Sequence, residues 1–147
     1  MLRVPTQTAK SLNITATTSG NSVNTLPNND LHALVGKLTI TTLSGTSPTL
    51  DVYIQTTDDG GTTYYDVAHF AQQTGAVTNA NALWVTIPVD MGDGKYVGAA
   101  ADASINASTV NGLPLLSSTY RVKYVYGGTV GTANWTLTLY QSTEEPK

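Results

Sequence analysis

No cysteine occurs anywhere in the sequence, so disulfide staples and thiolate metal sites are both excluded. Charge is scarce as well. Only 12% of the residues are Asp, Glu, Lys or Arg, about half the ordinary share of roughly 25%. The seven Lys and Arg residues are dispersed, whereas phosphate backbones are gripped by clustered cations, so no nucleic-acid partner is expected. Long apolar runs are missing too: nothing near the N-terminus resembles a signal-peptide core, and no stretch approaches the roughly 20 apolar residues of a membrane helix. The expectation is a chain that folds in the cytoplasm where it is made and has no membrane partner. Helical periodicity is almost absent.

What the sequence does have is threonine, about one residue in six. Thr is β-branched and suits the solvent face of a pleated strand. A surface of neutral hydroxyls and amides also costs less to desolvate than one of carboxylates and ammoniums, so it can be buried against a partner. At 147 residues the chain is long enough for one domain with a real core.

Period-two alternation recurs from one end to the other. Leu12, Ile14 and Ala16 alternate with polar neighbours; so do Leu34, Leu38 and Ile40, then Leu50, Val52 and Ile54, then Leu83, Val85 and Ile87. Near the C-terminus, Tyr120, Val122, Tyr124 and Tyr126 form one alternating set and Trp135, Leu137 and Leu139 another, with "GGTVGTA" between them supplying glycines for a hairpin turn. In "TTYYDVAHF" both faces carry apolar groups, since Tyr64, Ala68 and Phe70 oppose Tyr65, Val67 and His69; that strand should be covered on both sides. The stretch 71–82 reads as a loop. Seven to eight strands at this spacing predict an all-β fold, an antiparallel β-sandwich of jelly-roll-like kind. The predicted organisation is an N-terminal arm over residues 1–10, one sandwich domain over 11–142, and a polar tail over 143–147. Within the domain, residues 90–116 are rich in Gly, Ala, Ser and Asn with one strand near Lys95–Ala99, and read as a long excursion that orders on contact with a partner.

Residues with catalytic or ligating chemistry are few. Two histidines, His32 and His69, have no His or Cys companion at zinc-site spacing. Asp58 and Asp59 sit in "DDGG", where Asp accepts turn hydrogen bonds and Gly60 and Gly61 permit positive φ. Asp90, Asp93 and Asp102 could surround a hard cation, but they fall short of the six to eight oxygens that calcium takes. Asp51 and Asp66 could face each other across a hairpin as a glycosidase pair, without an aromatic cleft between them. No nucleophile elbow, P-loop or zincin motif is present. No enzyme activity, catalytic residue, metal or cofactor is therefore expected. Tyr53 and Trp84, out of phase with the apolar faces, should point outward as interface anchors or as a sugar-stacking surface, and Tyr65 is a further candidate interface residue. Leu2 and Val4 in the arm, and Ile105, Val110, Leu113 and Leu115 in the excursion, are further candidate interface residues.

The run "LTITTLSGTSPTLDVYIQTTDDGGTTYYDVAHFAQQTG" resembles a pattern in small virion proteins of tailed bacteriophages. There "SGTSPTLDV" leads into a strand, an Asp-Gly turn and a Trp/Tyr-Tyr-Asp…Phe segment; this sequence has Tyr64 where Trp is common. The resemblance covers about a quarter of the chain and marks a hairpin style rather than a site. It implies a β-rich structural protein of the virion. The favoured role is a head decoration or cement protein on the capsid surface, binding the major capsid protein and neighbouring copies of itself as a homo-oligomer, a trimer among the options. The alternatives are a tail or neck structural protein and, from a different class, a carbohydrate-binding β-sandwich.

Overall fold

The computed structural model describes residues 6–26, 33–89 and 101–143, and these contain strands, turns and bends but no helix. Two very long strands dominate: β3 (Ala33–Thr56) and β9 (Thr119–Thr143), which lie antiparallel to each other from Ala33↔Ser142 to Thr56↔Tyr120. Both were expected as pairs of shorter strands. The connector "GGTVGTA" is not a hairpin turn but the middle of β9, opposite the middle of β3, where the register slips between Ser44 and Gly45 and again between Thr46 and Thr49. Glycine is needed there because the two backbones nearly touch. Gly45 (φ 136) and Gly128 (φ 66) adopt left-handed backbone, and a Cβ would strike the Thr129 carbonyl oxygen at the first and the Ser47 carbonyl oxygen at the second.

The bulged middle lets the ribbon fold over on itself, so each long strand serves two layers. In the first layer the order is β1 (Thr6–Ile14), the C-terminal half of β9, the N-terminal half of β3, and β7 (Leu83–Ile87). In the second it is β2 (Gly20–Thr25), the N-terminal half of β9, the C-terminal half of β3, β4 (Tyr65–His69) and β8 (Thr109–Val110). Two-residue strands β5 (Gln73–Thr74) and β6 (Val77–Thr78) pair with β3 on either side of the fold, within the stretch expected to be loop. The fold class is thus all-β and antiparallel, with nine strands among the described residues rather than seven to eight.

The inward faces are those marked by the alternation. Leu34, Leu38, Ile40, Leu50, Val52 and Ile54 from β3 meet Tyr120, Val122, Tyr124, Trp135, Leu137 and Leu139 from β9 in one core. Contact between the layers is direct: a Cβ on Gly36 would lie 3.3 Å from both Ile54 Cδ1 and Phe70 Cζ, and the Tyr124 ring meets the Trp135 ring edge-on at 5.3 Å. Trp135 is 0% exposed; its indole N–H donates to the Tyr126 hydroxyl at 2.8 Å, which in turn donates to the Ala16 carbonyl at 2.9 Å. The buried donor is therefore satisfied. Burial pushes the Tyr126 hydroxyl above its ordinary pKa, and it pushes that of Tyr120 up to about 12.

Two domain expectations change. The first strand begins at Thr6 and pairs with the chain's own C-terminal strand, so residues 6–10 belong to the sandwich rather than to a free arm; Leu2 and Val4 lie outside the described residues. Residues 101–116, expected to order on contact with a partner, are packed on the second layer: Asp66 accepts from 103–105 as described below, the Asn111 N–H donates to the Val67 carbonyl at 2.8 Å, and the Leu116 N–H donates to the Thr56 hydroxyl at 2.6 Å. The strand expected near Lys95–Ala99 lies outside the described residues.

Candidate functional site

The outer face of the second layer carries a polar cluster that is buried at Gln55, Asp66 and His69 and opens to solvent at Asp102. Asp66 is fully buried on β4. Its carboxylate accepts from the Gln55 side-chain amide (2.7 Å) and from three successive backbone N–H groups, those of Ala103 (2.9 Å), Ser104 (2.6 Å) and Ile105 (3.1 Å). One carboxylate thereby clamps a loop that lies 39 residues further on. The Gln55 amide also donates to Asp102, and its carbonyl accepts from Arg121 Nε, each at 2.7 Å. Arg121 and Lys123 both reach Asp102 at 3.0 Å, and the Arg121 guanidinium lies over the Tyr64 ring at 4.0 Å. Partial burial would raise the Asp102 pKa, but hydrogen bonds from Gln55 and Lys123 and the Arg121 charge outweigh it and hold the carboxyl below its ordinary value.

His69 closes the other end of the cluster. Its ring stacks on Tyr53 with centroids 3.9 Å apart, Nδ1 faces the Ile105 carbonyl at 2.9 Å, and Nε2 faces Asp51 Oδ1 at 2.9 Å. Both ring nitrogens thus lie within hydrogen-bond distance of an acceptor oxygen. Asp51 also accepts from the Gln72 side chain. An Asp–His pair near a serine, Ser108, would suggest nucleophile activation, but a general base must direct a ring nitrogen at the nucleophile, and both nitrogens here face the Ile105 carbonyl and Asp51 instead. The clamped loop stores strain at Ala103 (φ 50) and Ser108 (φ 61), about 1–2 kcal/mol each for a non-glycine residue in this region, which the clamp must overcome.

The outer face of the first layer is different in kind. Cross-strand rows read Trp84–Lys37–Thr138–Ser11, Thr86–Val35–Tyr140–Ala9 and Thr39–Thr136–Asn13. Hydroxyls bond along it, Ser11 with Thr138 at 3.0 Å and Thr136 to Asn13 at 3.3 Å. Trp84 is 59% exposed. Its ring lies 6.0 Å from that of Tyr140 with the planes 25° apart, and the Lys37 ammonium sits 5.1 Å from its centroid. Lys37 is the one charged side chain in these rows, and among the described residues no carboxylate pairs with it. Trp84 also borders a cleft of about 360 Å³ beside β7, lined by Phe70, Leu83, Val85 and Val110 together with His69, Thr86 and Ser108.

The sequence-derived interface residues divide accordingly. Trp84 and Val110 (41% exposed) do present apolar surface, and both line this cleft. Tyr53 faces outward in phase yet is only 8% exposed, because His69 stacks on it beneath the clamped loop. Ile105 and Leu113 are buried in the chain's own fold, Leu115 packs partly against the core, and Tyr65 is half-buried. Three of the nine, Tyr53, Ile105 and Leu113, are buried and thus have too little exposed surface to anchor a partner as expected. The glycosidase pair fails on access, since Asp66 has its oxygens taken by the clamp. Asp102 is engaged by Arg121 and Lys123, while Asp90, Asp93 and His32 lie outside the described residues. Among the described residues no group of three or more His, Cys, Asp or Glu could hold a metal, and no helix is long and apolar enough to cross a membrane.

The turn residues behave as their types require. Gly60 (φ 76) and Gly61 (φ 102) take left-handed backbone. Asp59 accepts from the Thr63 and Thr62 N–H groups and from the Thr57 hydroxyl, and the Thr63 bond above all holds its carboxyl well below the usual carboxylate range. The flanking strands pair from Tyr53↔His69 to Thr56↔Tyr65, with one bulge. What sequence reading missed was Lys37 and Tyr140 as partners of Trp84, and Gln55, Arg121 and Asp66 as the core of the clamp.

No family model and no curated protein matches this chain. Among solved structures it is similar to a chain of the Bacillus endospore appendages, described as forming "a novel family of disulfide-linked pili", at 12% identity and a TM-score of 0.40 over 97% of this chain and 93% of that one. A likeness of that degree lends no role to this chain.

Proposed function

We propose that the chain is a structural virion protein of a tailed bacteriophage, a decoration or cement protein that binds across major capsid protein subunits and neighbouring copies of itself and stabilises the head. The observation that carries this reading is the bare edge of the sandwich along β9. There β1 pairs only with β9, β2 pairs only with β9, and neither has a partner on its other side among the described residues. The edge is long, nine residues in β1 and six in β2, and leads directly to the N-terminal residues 1–5. Such an edge offers backbone donors and acceptors to an extended segment of a neighbour. Val23 on β2, 58% exposed, adds an apolar contact, and Lys10 on β1 disfavours indiscriminate pairing. Many copies at modest individual affinity then reinforce a shell by multivalency, and mass action favours the lattice that presents the complete site.

The role is adhesive rather than catalytic. Particles assembled with a chain lacking residues 1–5, or with Ser11→Glu and Asn13→Glu on the β1 edge, test it. Incorporation into purified virions is expected to fall several-fold in both cases. Undiminished incorporation would remove this edge from the mechanism, and copies found only on tails would favour a tail or neck protein.

A further inference from the structure

We propose that Trp84, Lys37 and the adjoining cleft bind an acidic oligosaccharide: a carboxylate-bearing sugar whose ring lies on the exposed face of Trp84, with its carboxylate at the Lys37 ammonium and the next sugar unit in the cleft. The inference is separate from shell docking, since it uses the β7 side of the first layer while the proposed docking edge lies on the β1 side.

Charge complementarity chooses the ligand. The chain is acidic overall, with a net charge of -3, yet among the described residues the cross-strand rows of this face carry one cation and no carboxylate, and the contact Lys37 makes there is with the Trp84 ring. A buried or screened lysine would have found an acidic partner; this one faces outward beside an aromatic surface. The second choice is between a sugar and a peptide. An indole face takes the apolar C–H side of a pyranose ring; Thr86 and Thr138 set hydroxyls beside it on the face, and the cleft joins apolar walls, Phe70, Leu83, Val85 and Val110, to Ser108. A cleft of about 360 Å³ lies at the small end of ligand sites, which run from roughly 300 to 1,000 Å³. It has room for a sugar unit, and its polar groups are hydroxyls because both nitrogens of His69 are already engaged.

The full chain titrated with hexagalacturonate tests this, with maltohexaose as the neutral control and a hexaglutamate peptide as the acidic one, by calorimetry and by tryptophan emission. Trp135 is sealed in the core, so an emission change reports Trp84. Saturable binding of hexagalacturonate is expected, weakening as salt rises. Lys37→Gln should lower affinity roughly threefold or more and flatten the salt dependence. Trp84→Ala should lower it roughly tenfold or more, with Trp84→Phe retaining part of the affinity. Both side chains lie on the surface, so an unchanged thermal midpoint confirms that the variants fold. The proposal is overturned if hexagalacturonate does not bind, if maltohexaose binds equally, if binding survives Trp84→Ala, or if hexaglutamate competes on equal terms, the result expected of a peptide-docking face.

Discussion

Asp66 illustrates how one side chain can decide the fate of a distant segment. A carboxylate sealed from water is costly unless its oxygens are filled, and here the filling groups are the backbone N–H groups of Ala103, Ser104 and Ile105 with the Gln55 amide. Asp66→Asn keeps the shape but turns an N–H₂ group toward those donors. A loss of about 2–4 kcal/mol is expected, read as a lower urea midpoint at unchanged slope, together with faster amide exchange at Ser104 and Ile105. A midpoint shift within about 0.5 kcal/mol would mean that the clamp does not hold the 101–111 segment. None of this was legible from position 66 alone. Tyr53 and Gln55 stand on what alternation marks as the solvent side of β3, Asp66 and His69 on a strand that reads as covered on both faces, and what covers them comes from a Gly- and Ala-rich stretch whose sequence shows no core pattern. Period two reports which face a residue occupies; it is silent on whether a later segment of chain lies over that face.

At the scale of elements, the sequence named the inward faces of β3, β7 and β9 correctly, because burial and pleat share one period, but it divided the long strands wrongly. Ser44-Gly45-Thr46-Ser47-Pro48 and Gly127-Gly128-Thr129 are written in the same residues as turns, and a bulge needs positive φ as much as a hairpin does. The distinction lies in what faces the glycine. Gly60 looks into open space, whereas Gly128 looks at the Ser47 carbonyl of the opposite strand. Gly60→Val should therefore cost about 1 kcal/mol, for the left-handed backbone alone. Gly128→Ala adds a backbone collision and should cost roughly 3 kcal/mol or more. Thermal or urea unfolding of the two variants checks the difference; equal costs would contradict the continuous folded ribbon and restore the hairpin.

For the whole molecule, the fold gives the two sides of the first layer different characters. Among the described residues, the β1 side ends in a strand edge with no further partner, and the β7 side ends in an exposed tryptophan, a lysine with no carboxylate partner and a cleft. A decoration protein requires such a division, since one side must grip the shell while the other faces the medium. On the proposed function, low charge and a hydroxyl-rich surface would keep desolvation of the gripping side inexpensive, and repetition over a lattice would supply the affinity that one edge lacks. The most direct measurement of the proposed function is a density map of virions from the phage proposed to encode this chain, resolved well enough to place its strands. The account predicts copies repeating on the capsid lattice, with β1 and residues 1–5 against the major capsid protein or an adjacent copy and with Trp84 turned to solvent. Density confined to the tail or neck, or particles that carry no copy of the chain, would contradict it.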